Sequence, residues 1–130
     1  MNLESKPTKH LDGEIICPGD KSISQRILII GSLLNCDMEI EGFLDAYDPN
    51  STLKALNNIG ASITKNNNSV ILTKRSNSFI NASEELDLGN SGTGIRLMLG
   101  LVSGLGISAN FIGDSSLSKR PMSRVIDPLS

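Results

Sequence analysis

The sequence is poor in aromatic residues, histidine and cysteine, and each shortage argues against a class of function. Aromatic residues make up 3% of the 130 residues and tryptophan is absent, so the stacking platforms that bind single-stranded nucleic acid are not expected. The net charge of -2 provides no overall basic field for nucleic acid. His10 is the one histidine, and Cys17 and Cys36 do not form a CxxC pair, so we expect no metal site.

The sequence also lacks an apolar segment long enough to cross a membrane. The first ten residues, MNLESKPTKH, contain no apolar core of the kind found in signal peptides. No apolar run approaches the roughly 20 residues that a bilayer requires. We therefore expect a cytoplasmic protein with no membrane partner. Cys17 and Cys36 have apolar sequence neighbours, which predicts buried, reduced thiols.

The residues that are present form an α/β pattern, and its first part predicts a βαβαββ unit over about residues 13–74. Alternating or short apolar runs bounded by turn residues predict the strands, and apolar residues at helical spacing predict the helices. The expected strands cover residues 14–17, 38–43, 61–64 and 70–73.

The two helices of this unit have recognisable starts and inner faces. The first is expected to bury one stripe, formed by Ile23, Ile27, Ile30 and Leu34. Ser22 and Gln25 fit a capping box at its start, with Asp20 as a competing N-cap. The second helix is expected to run from an N-cap at Asp48 to Gly60 and to bury Leu53, Leu56 and Ile59.

The same order of elements then begins again and predicts an incomplete second unit over about residues 79–130. The expected elements are a strand at 86–88, a helix ended by Gly104, a strand at 107–112 and a helix opened by Pro121. A shift of 70 residues places Gly89 on Gly19 and Arg96 on Arg26. A block of this length is a duplicated supersecondary unit. We expect the chain to be the N-terminal piece of a longer protein.

Three turns that precede predicted helices carry cations, and such turns can bind anions. Free N–H groups and the positive end of the helix dipole attract phosphate and carboxylate, and glycine permits close backbone approach. The turns are residues 19–22 with Arg26, residues 89–93 with Arg96, and residues 119–121 with Arg124. They stand at corresponding ends of the two units, where they could converge.

Each cationic turn also has a simpler explanation. Lys21 is ordinary as a solvated charge, and Arg26 as the partner of a nearby acid. Asn90 and Ser91 are ordinary as a helix N-cap. A nucleotide P-loop is excluded at the first turn, because that motif needs Gly, Lys and Ser in succession and Asp20 interrupts them.

Three motifs resemble those of the 3-phosphoshikimate 1-carboxyvinyltransferase family, the EPSP synthases. They are PGDKSISQR (18–26), LGNSGTGIRL (88–97) and GDSSLSKRPMSRVIDPL (113–129), in the family's order. The resemblance implies two similar domains of three βαβαββ units each, of which this chain would hold about one and a half units. It also implies transfer of the enolpyruvyl group of phosphoenolpyruvate to the 5-hydroxyl of shikimate 3-phosphate, with release of phosphate. It implies no cofactor, and we expect a monomer when the protein is full length.

The resemblance implies substrate-binding roles by motif position. For shikimate 3-phosphate these residues are Lys21, Ser22 and Arg26. For phosphoenolpyruvate they are Lys21, Asn90, Gly92, Thr93 and Arg120. These residue types suit two anionic substrates, because arginine binds carboxylate and phosphate through two donors and lysine acts as a point charge. The resemblance further implies inhibition of the full-length protein by glyphosate, which a methyl group at Gly92 would crowd.

Two alternatives stay open at this stage. The sibling enolpyruvyl transferase that acts on UDP-N-acetylglucosamine has an asparagine after the lysine and a cysteine on a mobile loop. Here Ser22 follows Lys21, and residues 113–120 contain no cysteine. The other alternative is an inactive anion-binding fragment, because the family's acid/base carboxylates lie outside these 130 residues. We therefore assign no catalytic residue.

Overall fold

Helices and short strands alternate along the chain in the computed structural model, which describes residues 3–34, 36–66 and 69–130. The helices are α1 (Lys21–Leu33), α2 (Tyr47–Asn58), α3 (Gly92–Leu105) and α4 (Ser123–Leu129). The strands are β1 (Met38–Glu41), β2 (Ile63–Lys65), β3 (Ser69–Leu72), β4 (Leu86–Asp87) and β5 (Phe111–Ile112). A 3-10 turn covers Leu117–Lys119. The α/β prediction is thus confirmed.

The strands form one small sheet in each part of the chain. The first has the order β1-β3-β2 with antiparallel pairs, among them Ile40 opposite Val70 and Ile63 opposite Leu72. The second consists of the parallel pair β4-β5, with α3 as the crossover between them. Both sheets put apolar side chains under the helices, and Val70 and Leu86 are fully buried.

The predicted strand at residues 14–17 does not form. Ile15 is 85% exposed and Ile16 is 95% exposed, and the described residues provide no strand beside this segment. Without a partner strand, its backbone groups have no ladder to join. The same exposure corrects the prediction for Cys17, and Cys36 after α1 is exposed as well.

The predicted inner stripe of α1 is also wrong. Ile23 is 67% exposed and Ile30 is 55% exposed, whereas the buried face consists of Ser24, Gln25, Leu28, Ile29, Gly31 and Ser32. This face packs on α2, α3 and β3, and its polar members Ser24 and Gln25 bond to residues outside α1, which hydrophobic periodicity cannot detect. The Ser24 hydroxyl, for example, accepts a hydrogen bond from the Leu44 N–H at 3.0 Å.

Several helix ends differ from their predicted positions. Asp20 is the N-cap of α1 and accepts from the Ile23 N–H at 2.8 Å, so Ser22 is not the cap. The first turn of α2 includes Asp48, and its N-cap is Ala46. Gly106, with φ of 64°, ends α3 in the left-handed conformation that glycine permits. Ser123, rather than Pro121, begins α4.

The core lies where α1, α2 and α3 meet over the two sheets. Leu56 of α2 and Ile59, its C-cap, are fully buried, as the sequence predicts, whereas Leu53 is only partly buried. Leu28 of α1 and Met98 of α3 are fully buried beside them. In the described residues, no helix has both the length and the apolar character needed to cross a membrane. The packing therefore brings the beginnings of the three helices to one end of the core.

Candidate functional site

The N-terminal ends of α1, α2 and α3 are joined by one buried side chain, that of Gln25. Its Nε2 group donates to Ser91 Oγ at 2.7 Å, to Thr52 Oγ1 at 3.0 Å and to the Asp48 carbonyl at 3.3 Å. Ser91 caps α3, and Asp48 lies in the first turn of α2. Two of the cationic turns predicted from the sequence therefore converge, and α2 lies between them.

The turn that opens α3, residues 89–93, combines an N-cap hydroxyl with two glycines. The Ser91 hydroxyl accepts from the Gly94 N–H at 3.0 Å, and the first turn of α3 contains no acidic residue. Gly92 is buried within this turn, and Thr93 is partly buried beside it. Gly89 has a φ of 56° and lies against the Tyr47 ring, so glycine is required there. The Asp87 carboxylate accepts from the Gly89 N–H at 2.8 Å just before this turn, whereas the N-terminal end of the α3 dipole carries no acidic residue of its own.

Two arginine side chains lie over this turn. A Cβ atom added to Gly92 would overlap Arg120 Nη1 and would lie 3.4 Å from Arg96 Nη1. Arg120 is half-buried, and its Nη2 donates to Asn90 Oδ1 at 2.6 Å. The glycine at position 92 therefore makes room for a guanidinium group at a helix N-terminus. Such an arrangement suits a carboxylate or a phosphate.

Asn90 also fixes the loop that carries Arg120. Its Nδ2 donates to Asp114 Oδ2 at 2.6 Å, while Asp114 Oδ1 accepts from the backbone N–H groups of Leu117 and Ser116. The hydrogen bond from Asn90, followed by that from the Leu117 N–H, holds the pKa of the Asp114 carboxyl below its ordinary value of 3.8. The ionised carboxylate is thus the stable form, and it organises the loop after β5.

The turn that opens α1 is held less firmly. Lys21 Nζ lies 3.0 Å from Asp48 Oδ2, with the lysine side chain 51% exposed. Arg26 is exposed and donates to the Ser22 carbonyl at 3.1 Å, within its own helix. Ser22 is partly buried, and its hydroxyl is not used as the N-cap. These three predicted site residues lie at the beginning of one helix, but only Lys21 bonds to another element.

Sequence reasoning missed the residues that connect the site. The sequence pattern indicates a capping box for Gln25 and an N-cap for Ser91, whereas in the structure Gln25 donates a hydrogen bond to Ser91. The pattern indicates a helix cap for Asp48, whereas Asp48 pairs with Lys21. Ser24 and Gln25 carry no distinguishing local signal, because α1 also contains the polar residues Lys21, Ser22, Arg26 and Ser32. Their burial depends on tertiary packing, which one sequence does not reveal.

The fold and the geometry define an α/β protein with a candidate anion-binding surface, where two helix N-termini lie beside Lys21, Arg96 and Arg120. The chain matches the family model for EPSP synthase (3-phosphoshikimate 1-carboxyvinyltransferase) over residues 5–130. It is 47% identical to the 3-phosphoshikimate 1-carboxyvinyltransferase of Petrotoga mobilis over 132 residues, which cover 100% of this chain and 31% of the relative. The corresponding enzyme of Streptococcus uberis is 45% identical over 120 residues, covering 92% and 28%.

A solved structure agrees with these sequence matches. The EPSP synthase of Acinetobacter baumannii superposes with a TM-score of 0.79 at 35% identity, over 90% of this chain and 27% of that chain. The chain therefore belongs to the EPSP synthase family. It spans less than a third of the length of the relatives that it matches.

Proposed function

We propose that this chain forms part of the substrate-binding surface for enolpyruvyl transfer from phosphoenolpyruvate to the 5-hydroxyl of shikimate 3-phosphate, with release of phosphate. Family membership supports the reaction. The observation that carries the proposal is the pair of guanidinium groups, from Arg120 and Arg96, above Gly92 at the start of α3. Both substrates are anions, and bidentate donors beside a helix N-terminus bind carboxylate and phosphate well.

In this proposal each of the two turns binds mainly one substrate. We assign phosphoenolpyruvate to the α3 turn, where Asn90, Gly92, Thr93 and Arg120 lie. We assign shikimate 3-phosphate to the partly buried Ser22 and the exposed Arg26 at the start of α1. Lys21 contributes to both, since its α1 turn is joined to the α3 turn through Gln25 and Ser91. Fixed cations and N–H groups would then position the two reactants and stabilise the charge of the tetrahedral adduct.

The acid/base chemistry is not assigned to this chain. Asp48 is paired with Lys21, and Asp114 with Asn90. Both carboxylates are thus engaged in structure, which supports leaving the acid/base role to residues outside these 130. The division into units at about 13–74 and 79–130 belongs to the same proposal. A monomeric full-length protein, a cytoplasmic location, and the lack of a cofactor and of nucleic acid stay predictions.

A hybrid protein tests the proposal. The chain would replace the matching segment of the Petrotoga mobilis relative, and phosphate release would be measured with each substrate alone and with both. We expect release that requires both phosphoenolpyruvate and shikimate 3-phosphate and is inhibited by glyphosate. Release with UDP-N-acetylglucosamine as the acceptor would favour the sibling activity. A folded but inactive hybrid, beside an active parent, would overturn the proposal.

The 130-residue chain by itself is the control for the division of roles. We expect weak binding of phosphoenolpyruvate and no phosphate release, because the acid/base groups are absent. Substrate-dependent release by the isolated chain would show that the catalytic groups lie within it. It would also contradict the assignment of Asp48 and Asp114 to structural roles.

A further inference from the structure

We propose that Gln25 is a positioning residue that holds the α3 turn in register with α1 and α2. The side chain is fully buried at the point where the three helices begin. Its single Nε2 group contacts Ser91 of α3 and Thr52 and the Asp48 carbonyl of α2. No role for this residue follows from the substrate-binding motifs. The proposal rests on the function proposed above, because it concerns how that site is held.

The hydrogen-bond network fixes which end of the amide faces the cluster. The Asp48 carbonyl can only accept, and it already accepts from the Thr52 hydroxyl at 3.2 Å. If the Gln25 side-chain carbonyl oxygen pointed toward the Asp48 carbonyl oxygen, the two acceptors would face each other with no hydrogen between them. The amide nitrogen must therefore occupy this position. Its two hydrogens serve three acceptors, so one hydrogen bond is three-centred, and the Asp48 carbonyl at 3.3 Å is the most distant acceptor.

Gln25 is a costly choice if packing is its only role. Its Oε1 atom is buried with no hydrogen-bond partner, and an unsatisfied buried acceptor is destabilising. An apolar residue of similar volume would fill the space without that penalty. The three donated bonds to two other helices explain why an amide occupies the position.

Ser91 transmits the constraint to the anion-binding turn. Its hydroxyl oxygen accepts from Gln25 Nε2 at 2.7 Å and from the Gly94 N–H at 3.0 Å. Both lone pairs are thus occupied, and the hydroxyl geometry is fixed from two sides. Gly94 leaves the room for this contact, since an added Cβ would lie 2.7 Å from Ser91 Oγ and 2.9 Å from Gln25 Nε2. Release of Gln25 should therefore loosen the first turn of α3.

The first experiment measures amide hydrogen exchange in the 130-residue chain without ligand. In Gln25→Met, we expect the Gly94 amide to exchange about tenfold faster than the loss of global stability alone predicts. The matched control is Ser32→Ala, which removes a buried hydrogen bond to the Ile29 carbonyl at the other end of α1. In Ser32→Ala, the exchange rate of the Gly94 amide should rise only by as much as the loss of global stability predicts. The same behaviour in Gln25→Met would overturn the proposal.

A second variant covers the case in which Gln25→Met does not fold. Thr52→Val removes one acceptor of Gln25 Nε2 from the α2 side with little change in volume and leaves the Ser91–Gly94 hydrogen bond in place, so Gly94 exchange should rise about threefold. In the double variant with Gln25→Met, the two effects should be clearly less than multiplicative, because Thr52 acts on Gly94 through Gln25. Multiplicative effects, or unchanged Gly94 exchange in a folded Thr52→Val chain, would contradict the proposal.

Measurements of ligand affinity distinguish the positioning role of Gln25 from the substrate-binding function proposed for the chain. Phosphoenolpyruvate affinity should fall about tenfold in Gln25→Met, whereas shikimate 3-phosphate affinity should change less than about twofold, because Ser22 and Arg26 lie on α1 itself. Equal losses for both ligands would indicate a merely structural role. If the unsubstituted chain binds neither ligand, the proposed site fails, and hydrogen exchange still decides whether Gln25 positions the turn.

Discussion

The two candidate anion-binding turns, which open α1 and α3, differ in how many other elements hold their side chains, although Arg26 and Arg96 each bond only to their own helix. In the α3 turn, Asn90 bonds both Arg120 and Asp114, and Ser91 bonds Gln25. In the α1 turn, Lys21 makes one half-exposed ion pair, and the exposed Arg26 bonds only to its own helix. The α3 turn is therefore organised before any ligand binds, whereas the α1 cations keep rotamer freedom that a ligand must remove.

Under the proposed assignment of the substrates, this difference has an energetic consequence for their binding. Binding to the α3 turn avoids much of the cost of ordering side chains, which is about 0.5–1.5 kcal/mol for each long side chain immobilised. Binding to the α1 turn includes that cost for Lys21 and Arg26. Substitutions in the α3 turn should consequently have large effects on one substrate, and substitutions in the α1 turn smaller ones.

The largest effect is expected from Gly92→Ala. The added methyl group overlaps Arg120 Nη1, and the end of that side chain must move away from the helix N-terminus. We expect a loss of about 30- to 100-fold in phosphoenolpyruvate affinity, since a charge-assisted hydrogen bond contributes about 1.5–3 kcal/mol. Shikimate 3-phosphate affinity should stay within about threefold. Calorimetric titration of each ligand measures both values.

Gly100→Ala is the matched control on the same helix. A Cβ at Gly100 meets no atom within 4 Å, so this change should leave both affinities unchanged. It should raise the free energy of unfolding by about 0.5–1 kcal/mol through helix propensity. A Gly92→Ala chain with unaltered phosphoenolpyruvate affinity would remove Arg120 from the proposed site.

A smaller loss is expected from Asn90→Ala. The change removes the acceptor of Arg120 and the donor to Asp114, but leaves the guanidinium charge and the helix N-terminus in place. Phosphoenolpyruvate affinity should fall about tenfold, which corresponds to about 1.4 kcal/mol. Isothermal titration at fixed ionic strength measures it. A loss as large as that of Gly92→Ala would mean that Asn90 contributes as much to binding as Arg120 does, and an unchanged affinity would remove Asn90 from the proposed site.

The sequence predicted the α/β class, most elements and the two turns, because turn residues and periodicity are local signals. The predictions failed where the structure of a segment depends on the residues that pack or bond against it. Residues 14–17 carry a strand pattern but lack a neighbouring strand among the described residues. The α1 stripe of isoleucines is apolar but faces outward, since Ser24 and Gln25 make specific bonds inward. The link between the two turns was unpredictable for the same reason.

Asp48→Asn, in the first turn of α2 beside the α1 turn, is expected to raise substrate affinity by an intermediate amount. Lys21 would lose its counter-charge and be available to an anion. Affinity for both substrates should rise about two- to fivefold at low salt, and the gain should vanish as salt screens the charges. Stability should change by less than about 1 kcal/mol, because the ion pair is partly exposed. Asp45→Asn, which breaks the separate ion pair with Lys65, should leave affinity unchanged.

The smallest effect concerns the pKa of the Asp114 carboxyl, which the Asn90 hydrogen bond lowers below 3.8. Because the pKa of this carboxyl is lower in the folded chain than in the unfolded chain, the hydrogen bonds to Asp114 stabilise the fold fully at pH values above the ordinary pKa. That stabilisation is lost as the pH falls through the pKa of the folded chain. Asn90→Ala should raise this pKa toward 3.8, which carbon NMR titration of the carboxyl measures. The control is Asp45, whose pKa is lowered chiefly by Lys65 and then by Asn50 and should not move. Equal shifts at both carboxyls would show that the change disturbs the whole fold and not the α3 turn.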